Sequence, residues 1–337
     1  MEMDAEGGGR RRRGRSAAAA APAPKLKAPP VLEWMRRPVE VDADASATPF
    51  AALEPPLDAA LSSALAGEGF VGLVPVQAVV WREMSGGLST SRDVCIRAPT
   101  GSGKTLCYVL PVVAALRGRI VRRLRALVVV PTVDLALQVL EVATPLCTAA
   151  GLSVGAAAGR GAMAPEAARL VENGESLVDI LVATPGRLVG HLRETKGFSL
   201  AHLRFLVVDE ADRLLRQDYQ GWLAAAGGAG AKDRAPPRLE SGERPRSGPR
   251  VVKLVASATL TRDPAKIARL RLSSPLYVAA SAGASSEQEK YGYVLPETLV
   301  ERTVEVPAGG GRHGKALALA ALLLSLSGGG GGGGGGA

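Results

Sequence analysis

The segment Ala98-Pro99-Thr100-Gly101-Ser102-Gly103-Lys104-Thr105 joins small residues, one lysine and one hydroxyl in a spacing that can cradle phosphate. It follows an apolar run at 94–96 and opens a helix-like stretch through Leu106 and Val109. In that setting the small residues let the backbone wrap closely. Successive N–H groups face phosphate oxygens, and the helix N-terminus adds its positive end. Lys104 would reach the β- and γ-phosphates of a nucleotide, and the Thr105 hydroxyl would sit on Mg²⁺. The first glycine of the general pattern is replaced by Ala98.

Roughly a hundred residues later, Phe205-Leu-Val-Val-Asp209-Glu210-Ala211-Asp212 puts three carboxylates just past an apolar run. In an open α/β sheet the carboxyl ends of the strands are where ligands bind. Asp209 is placed to hold Mg²⁺, directly or through water, and Glu210 to orient and deprotonate an attacking water. The plainer alternative is that these acids cap a helix starting near Ala211. Three more runs end in small polar clusters: Pro131-Thr132, Thr184-Pro185-Gly186-Arg187 and Ser257-Ala258-Thr259. Each alone can be a helix cap. Parallel strands would gather all of them on one rim, where hydroxyls, helix N-termini and an arginine suit contacts to a sugar-phosphate backbone.

The elements that must position these groups are legible as a pattern. Short apolar runs at 94–96, 126–130, 180–183, 205–208 and 251–256 alternate with helix-like stretches. That is the signature of an α/β fold with a doubly wound parallel sheet buried on both faces. Residues 57–65 also look helical. Residues 1–55, rich in Ala, Pro and Arg, are expected to stay unpacked, with the folded domain at 56–280. A Gly-, Pro- and charge-rich stretch at about 227–250 reads as a disordered insertion between strands. Residues 281–337 read as a linker and one helix-like segment, 315–326, before nine consecutive glycines at 328–336.

The chain has 337 residues, 47% of them hydrophobic, and a formal charge of +9. Such a balance suits an acidic partner, nucleic acid before lipid. Most of the excess, about +8, lies between Arg10 and Arg37. The basic run at 10–15 reads either as a nuclear address or as a plain solvated tail. Three widely spaced cysteines, Cys95, Cys107 and Cys147, form neither a zinc nor a disulfide pattern and suggest a reducing compartment. No apolar stretch reaches the ~20 residues of a membrane span. His191 and His202 lack a nucleophile or spaced acid nearby and read as surface or local structural residues. Trp34, Trp81 and Trp222 read as packing anchors.

Taken in order, these motifs resemble the first RecA-type lobe of DEAD-box ATP-dependent RNA helicases, over about residues 57–280. The resemblance implies ATP and Mg²⁺ as cofactors and single-stranded or structured RNA as partner. It implies that Gln77, in Val74-Pro-Val-Gln77, reads adenine. It further implies that Thr184-Pro-Gly-Arg187 grips RNA and that Ser257-Ala-Thr259 couples hydrolysis to strand separation, with Asp212 completing the acidic motif. The stretches Leu32-Glu-Trp-Met-Arg36, Asp212-Arg-Leu-Leu215, Tyr219-Gln-Gly-Trp222 and Tyr293-Val-Leu-Pro-Glu297 are similar to a plant-type branch related to nucleolar helicases of large-ribosomal-subunit assembly. That likeness implies a ribosomal RNA precursor as partner and a nuclear, nucleolar location.

The sequence also departs from the family. Where the family has Pro-Thr-Arg-Glu-Leu-Ala, this chain has Val133 and Asp134. No aromatic residue between Pro55 and Gly67 answers to the one that stacks on adenine. No His-Arg-x-Gly-Arg motif, the source of arginine fingers in the second lobe, follows Thr259. The expectation is therefore an ATP-dependent RNA helicase whose second lobe is truncated. The alternatives are a catalytically silent ATP- and RNA-binding lobe, or a P-loop ATPase acting on protein or DNA.

Overall fold

The computed structural model describes residues 32–85, 92–159, 161–216, 221–227, 250–260, 263–281, 318–320 and 322–323. The chain divides into two units, Met1–Gly283 and Ala284–Ala337. In the second, residues 318–320 and 322–323 are helical. Residues 228–249 of the expected insertion, Tyr219 and Gln220, the Tyr293 stretch and the glycine run lie outside the described residues.

The first unit begins with a 3-10 turn (Glu33–Arg36), β1 (Val39–Asp42), β2 (Thr48–Pro49) and a second 3-10 turn (Phe50–Ala52). Next come α1 (Ala59–Gly67), β3 (Gly72–Leu73), α2 (Pro75–Met84), β4 (Val94–Arg97), α3 (Lys104–Leu116), β5 (Ala126–Val129) and α4 (Val133–Ala149). The middle holds β6 (Val154–Ala157), α5 (Met163–Leu170), β7 (Val171–Glu172), β8 (Glu175–Ser176), β9 (Ile180–Ala183) and α6 (Pro185–Glu194). It closes with β10 (Phe205–Val208), α7 (Ala211–Arg216), α8 (Trp222–Gly227), β11 (Val252–Ser257), α9 (Pro264–Ala268) and β12 (Leu276–Ser281).

Eight strands form one parallel sheet in the order β1-β12-β4-β11-β10-β5-β9-β6. Helices cover both faces, and alternate strand residues feed two cores. Val128 and Val207 belong to one, with Tyr108, Val112 and Trp81; Leu127, Val129, Leu206 and Val208 belong to the other, with Leu188 and Trp222. Burial on both sides is why the central strands read as unbroken apolar runs. Asp58 caps α1, its carboxylate accepting from the Ala60 N–H at 2.9 Å.

Two strands escape that signature. β1 alternates exposed and buried residues at the sheet edge, and β6 is the small-residue string Val-Gly-Ala-Ala. A Cβ on Gly155 would come within 2.8 Å of Val178 Cγ1, so the string is small because the neighbouring chain lies close. The unpacked segment expected to reach residue 55 is corrected over 33–53. There β1 pairs with β12, and Met35, Val41 and Leu53 are buried. A few anchors suffice because the edge strand supplies backbone bonds that need no apolar run.

Trp81 and Trp222 are packing residues, as expected: Trp222 is buried, and Trp81 donates its indole N–H to the Pro55 carbonyl at 2.8 Å. Trp34 sets its ring edge-on against Tyr277. The three cysteines are free and buried. Among the described residues no helix is long and apolar enough to cross a membrane.

Candidate functional site

The carboxyl ends of β4, β10 and β11 adjoin in the sheet, so the glycine-rich loop, the acids and the Ser257 cluster meet at one rim. The loop runs from β4 straight into α3. Gly101 and Gly103 take φ of +82° and +75°, conformations that glycine adopts without strain. A Cβ on Gly103 would also collide with the Gln77 amide nitrogen. Glycine there keeps the loop open and lets α2 approach it. Gln77 spans the gap, donating from Nε2 to the Gly103 carbonyl (3.2 Å) and accepting at Oε1 from the Val74 N–H (3.0 Å). Lys104 is buried and donates from Nζ to the carbonyls of Ala98 (2.9 Å) and Pro99 (3.0 Å). Ser102 ties back to the Pro99 carbonyl at 2.7 Å.

Asp209 caps the end of β10 at 6% exposure. Its Oδ2 accepts from the Tyr108 hydroxyl at 2.8 Å, and its Oδ1 from the Glu210 N–H at 2.9 Å. Burial pushes its carboxyl above the ordinary range, against the opposing pull of those two bonds and of the Lys104 charge. Burial likewise raises Glu210; Lys104 draws it down, while Asp209 and Asp212 push it further up. Glu210 sits at φ +49°, the left-handed region that costs a residue with a Cβ about 1–2 kcal/mol. Asp212 accepts from the Thr259 hydroxyl at 2.6 Å, and the Ser257 hydroxyl donates to the Thr259 carbonyl at 3.2 Å. The last acid of one motif is thus bonded directly to the last hydroxyl of another.

A buried carboxylate within reach of the Lys104 charge, with its charged form disfavoured by burial, fits a hard divalent cation that takes its remaining ligands from phosphate and water. Among the described residues no group of three or more His, Cys, Asp or Glu could hold a metal unaided.

The second set of expected residues lines the same rim further along. Thr132 follows Pro131 at the end of β5 and caps α4, accepting from the Leu135 N–H at 3.3 Å. The plainer cap reading therefore holds for Thr132. Thr184 stands at the cap position of α6 but makes no side-chain cap bond, and Pro185 is the first helical residue. Gly186 is exposed, with open space where a Cβ would go.

Arg187 differs from a freely offered cation. Its guanidinium pairs with Glu166, with Nε at 2.8 Å and Nη2 at 2.7 Å from Oε2, and it donates to the carbonyls of Gly161 and Ala162 at 3.0 and 3.3 Å. It therefore holds the loop around 161–162. His191 is fully buried, donating from Nε2 to Glu166 at 2.8 Å with Thr195 on Nδ1 at 2.8 Å. That is the local structural role expected of it. Burial alone would raise Glu166, but bonds from His191, the Gly159 N–H and Arg187 hold it below the usual range.

Tyr108 and Glu166 were not among the expected residues. Tyr108 lies one helical turn past Lys104, the single hint available. Glu166 sits in an unremarkable amphipathic helix, 21 residues from Arg187 and 25 from His191. An open groove of about 410 Å³ beside α5, lined by Met163, Ala167, Val171 and Glu194, holds none of the groups above.

The profile of the DEAD/DEAH box helicases matches residues 74–267, spanning the glycine-rich loop, the acids and the Ser257 cluster. The chain belongs to the DEAD/DEAH box helicases. DEAD-box ATP-dependent RNA helicase 1 of Arabidopsis thaliana is 43% identical over 317 residues, which cover 82% of this chain and 58% of the relative. ATP-dependent RNA helicase dbp6 of Aspergillus niger is 41% identical over 299 residues, 82% of this chain and 49% of that one. ATP-dependent RNA helicase DDX51 of Mus musculus is 40% identical over 256 residues, 68% and 40% of the two. The chain thus spans about half the length of these relatives. Among solved structures, the yeast DEAD-box splicing factor Prp28 superposes with a TM-score of 0.54 at 22% identity, over 80% of this chain and 57% of its own. A DEAD box protein from Methanococcus jannaschii gives 0.51 at 22% identity, over 67% and 54%. Both share the fold of this DEAD/DEAH box domain.

Proposed function

We propose that this chain is the nucleotide- and RNA-binding lobe of an ATP-dependent RNA helicase acting in ribosome assembly, with a ribosomal RNA precursor as partner and the nucleolus as its place. The observation that carries the reading is the Thr259–Asp212 bond, which joins the cluster on β11 to the acids beside the glycine-rich loop. A change felt at the nucleotide is thereby passed to the neighbouring strand end within one hydrogen bond. Loop N–H groups and Lys104 would hold the β- and γ-phosphates. Thr105 and Asp209 would hold Mg²⁺, which supplies charge neutralisation at the phosphates when bound. Glu210, raised by burial, is suited to take a proton from an attacking water. Gln77, held against the loop, would read the adenine edge. Phe50, which opens the turn after β2 and packs on the core, would cover the base. Thr132, Thr184 and the exposed N-terminus of α6 at Gly186 would take RNA phosphates, with Arg187 shaping the rim through Glu166.

A binding lobe that does not turn over ATP alone is the second reading, favoured by the lack of a His-Arg-x-Gly-Arg motif in these 337 residues. Arginine fingers elsewhere contribute about 10³–10⁵ in rate. ATP turnover by the purified chain, with single-stranded RNA, with DNA of the same sequence and with neither, beside Glu210→Gln, decides between them. Turnover stimulated by RNA alone and lost in the variant supports the helicase reading. ATP and RNA binding without turnover supports the silent lobe. Stimulation by DNA equal to that by RNA sinks both.

A further inference from the structure

The opposite, amino-terminal rim of the sheet carries charge that none of the chemistry above uses. The neighbouring strands β12, β4, β11, β10 and β5 are each preceded by an arginine: Arg271, Arg92, Arg250, Arg204 and Arg125. The register aligns their bases. Phe205 lies opposite both Val252 and Ala126, Leu254 opposite Val94, and Val94 opposite Leu276. Arg204 and Arg125 are therefore level, and Arg92 is level with Val252. Lys253 donates to the Arg271 carbonyl at 2.6 Å, fixing that residue to the base of β11. At about 4.8 Å per strand, Arg92, Arg250, Arg204 and Arg125 are spread over about 14 Å, with Arg271 against the base of β11.

The acids on this rim are already satisfied. Asp93, fully buried, binds Arg250 and accepts from the N–H groups of Lys253 (2.8 Å) and Ser273 (2.6 Å). Asp179, also fully buried, binds Arg119 at 2.5 Å and the Ser153 N–H at 2.9 Å. Among the described residues Arg92, Arg122, Arg125 and Arg271 pair with no carboxylate. Arg92 and Arg125 donate only to carbonyls, of Ser274 and Val121, which leaves their charge uncompensated. Lys253 registers the field: burial first, then Arg250 and Arg271, push it below the usual lysine range, against the pull of Asp93. Cations near helix C-termini answer the helix dipole, but Arg92, Arg125 and Arg204 stand before strands.

We infer that this rim binds the phosphate backbone of double-helical RNA, separately from the carboxyl-end rim. A row of guanidinium forks matches phosphate geometry. Single strands are held through aromatic stacking platforms as well as charge. Among the described residues, the exposed large apolar residues beside this row are the aliphatic Ile120 and Val121, and Trp34 is committed to Tyr277. Duplex RNA is recognised chiefly through phosphates and 2′-hydroxyls, without base stacking. The choice of RNA as the polyanion rests on the proposed function; the charged row itself does not. One rim would grip a single strand while the other holds the folded part of the same RNA.

The test uses the full chain and the triple variant Arg92→Glu/Arg125→Glu/Arg271→Glu, with Arg→Gln at the same positions as a milder second variant. The probes are a labelled blunt RNA hairpin of about 16 base pairs, the span a duplex-binding module covers, and a short oligouridylate. Anisotropy is read between 50 and 200 mM salt. The expected result is at least tenfold weaker hairpin binding, with the slope of log K on log[salt] reduced by about two to three for three lost contacts. Oligouridylate and nucleotide binding should stay at the wild-type level. Unchanged hairpin binding in the Glu variant overturns the inference. So does an equal loss for both probes, which would mark a diffuse field, or displacement of the hairpin by polyglutamate at lower concentration than by unlabelled RNA, which would mark a protein-binding surface. Failure of the carboxyl-end reading would appear instead as oligouridylate binding that is absent from the wild type.

Discussion

Removing the Tyr108 hydroxyl probes the acid at the centre of the nucleotide site while leaving in place every side chain expected to hold nucleotide or Mg²⁺. Tyr108 is fully buried and Asp209 is 6% exposed. In Tyr108→Phe the ring keeps its packing, while Asp209 Oδ2 loses a 2.8 Å donor in a place water does not reach. A hydrogen bond to a charged group contributes about 1.5–3 kcal/mol, and its loss here leaves the acceptor unsatisfied. At about 2–4 °C per kcal/mol for a unit of this size, the melting temperature should fall by about 3–12 °C.

The effect has a sign in pH. Burial holds Asp209 above its ordinary value of 3.8. An acid so raised destabilises the fold as pH climbs from 3.8 through the raised value, and the cost is constant above it. The tyrosine reduces that cost, so the variant's deficit is largest at neutral pH and shrinks as pH falls toward 4. Urea unfolding followed by tryptophan fluorescence suits the measurement, because Trp34, Trp81 and Trp222 all lie in the first unit. A deficit below about 0.5 kcal/mol, or one that does not vary between pH 4 and 7, would refute the reasoning, since surface-like substitutions stay within that bound.

Other outcomes follow from the same geometry. Lys104→Ala should weaken nucleotide binding by about 30-fold or more, the effect of removing one partner of a buried charged contact (about 2–5 kcal/mol), as read with a fluorescent ATP analogue. Gly103→Ala places a methyl against the Gln77 amide at φ +75°, so nucleotide affinity should drop at least tenfold and adenine-over-guanine preference should narrow in competition titrations. Thr259→Ala breaks the bond to Asp212; nucleotide binding should persist while any stimulation by RNA is lost, and a stimulation ratio equal to wild type would remove Thr259 from the coupling path. Glu166 is held below its ordinary value, so it contributes stability at neutral pH that is lost as pH falls through its folded-state value. Glu166→Gln should therefore destabilise most near pH 7 and converge on wild type in acid, as followed by thermal melts across pH.

The central strands were legible because burial on both faces demands unbroken apolar runs, and each motif was legible because a polar cluster interrupts such a run where packing gives no reason for one. Those signals placed β4, β5, β9, β10 and β11, and with them the glycine-rich loop and Asp209 to Asp212. Edge strands carry no such demand, so Val39-Glu-Val-Asp42 looks like tail in the sequence although Val41 is buried. The partners of site residues were less visible still. Tyr108 meets Asp209 across 101 positions of sequence, and no local pattern encodes that encounter. Arg187 could be located but not its state, because Glu166 comes from a different helix and claims its guanidinium.

The burial of the three thiols sets what reagents can do to this protein. Burial pushes Cys107 and Cys147 up to about 12 and Cys95 higher still. At neutral pH a thiol at 12 is ionised to about one part in 10⁵, and the thiolate is the reactive form. All three cysteines of the chain are of this kind. A single cysteine introduced on either rim could therefore be tagged with a maleimide dye in the native sequence background, leaving the natural thiols silent until the domain unfolds and turning them into a chemical clock for that event.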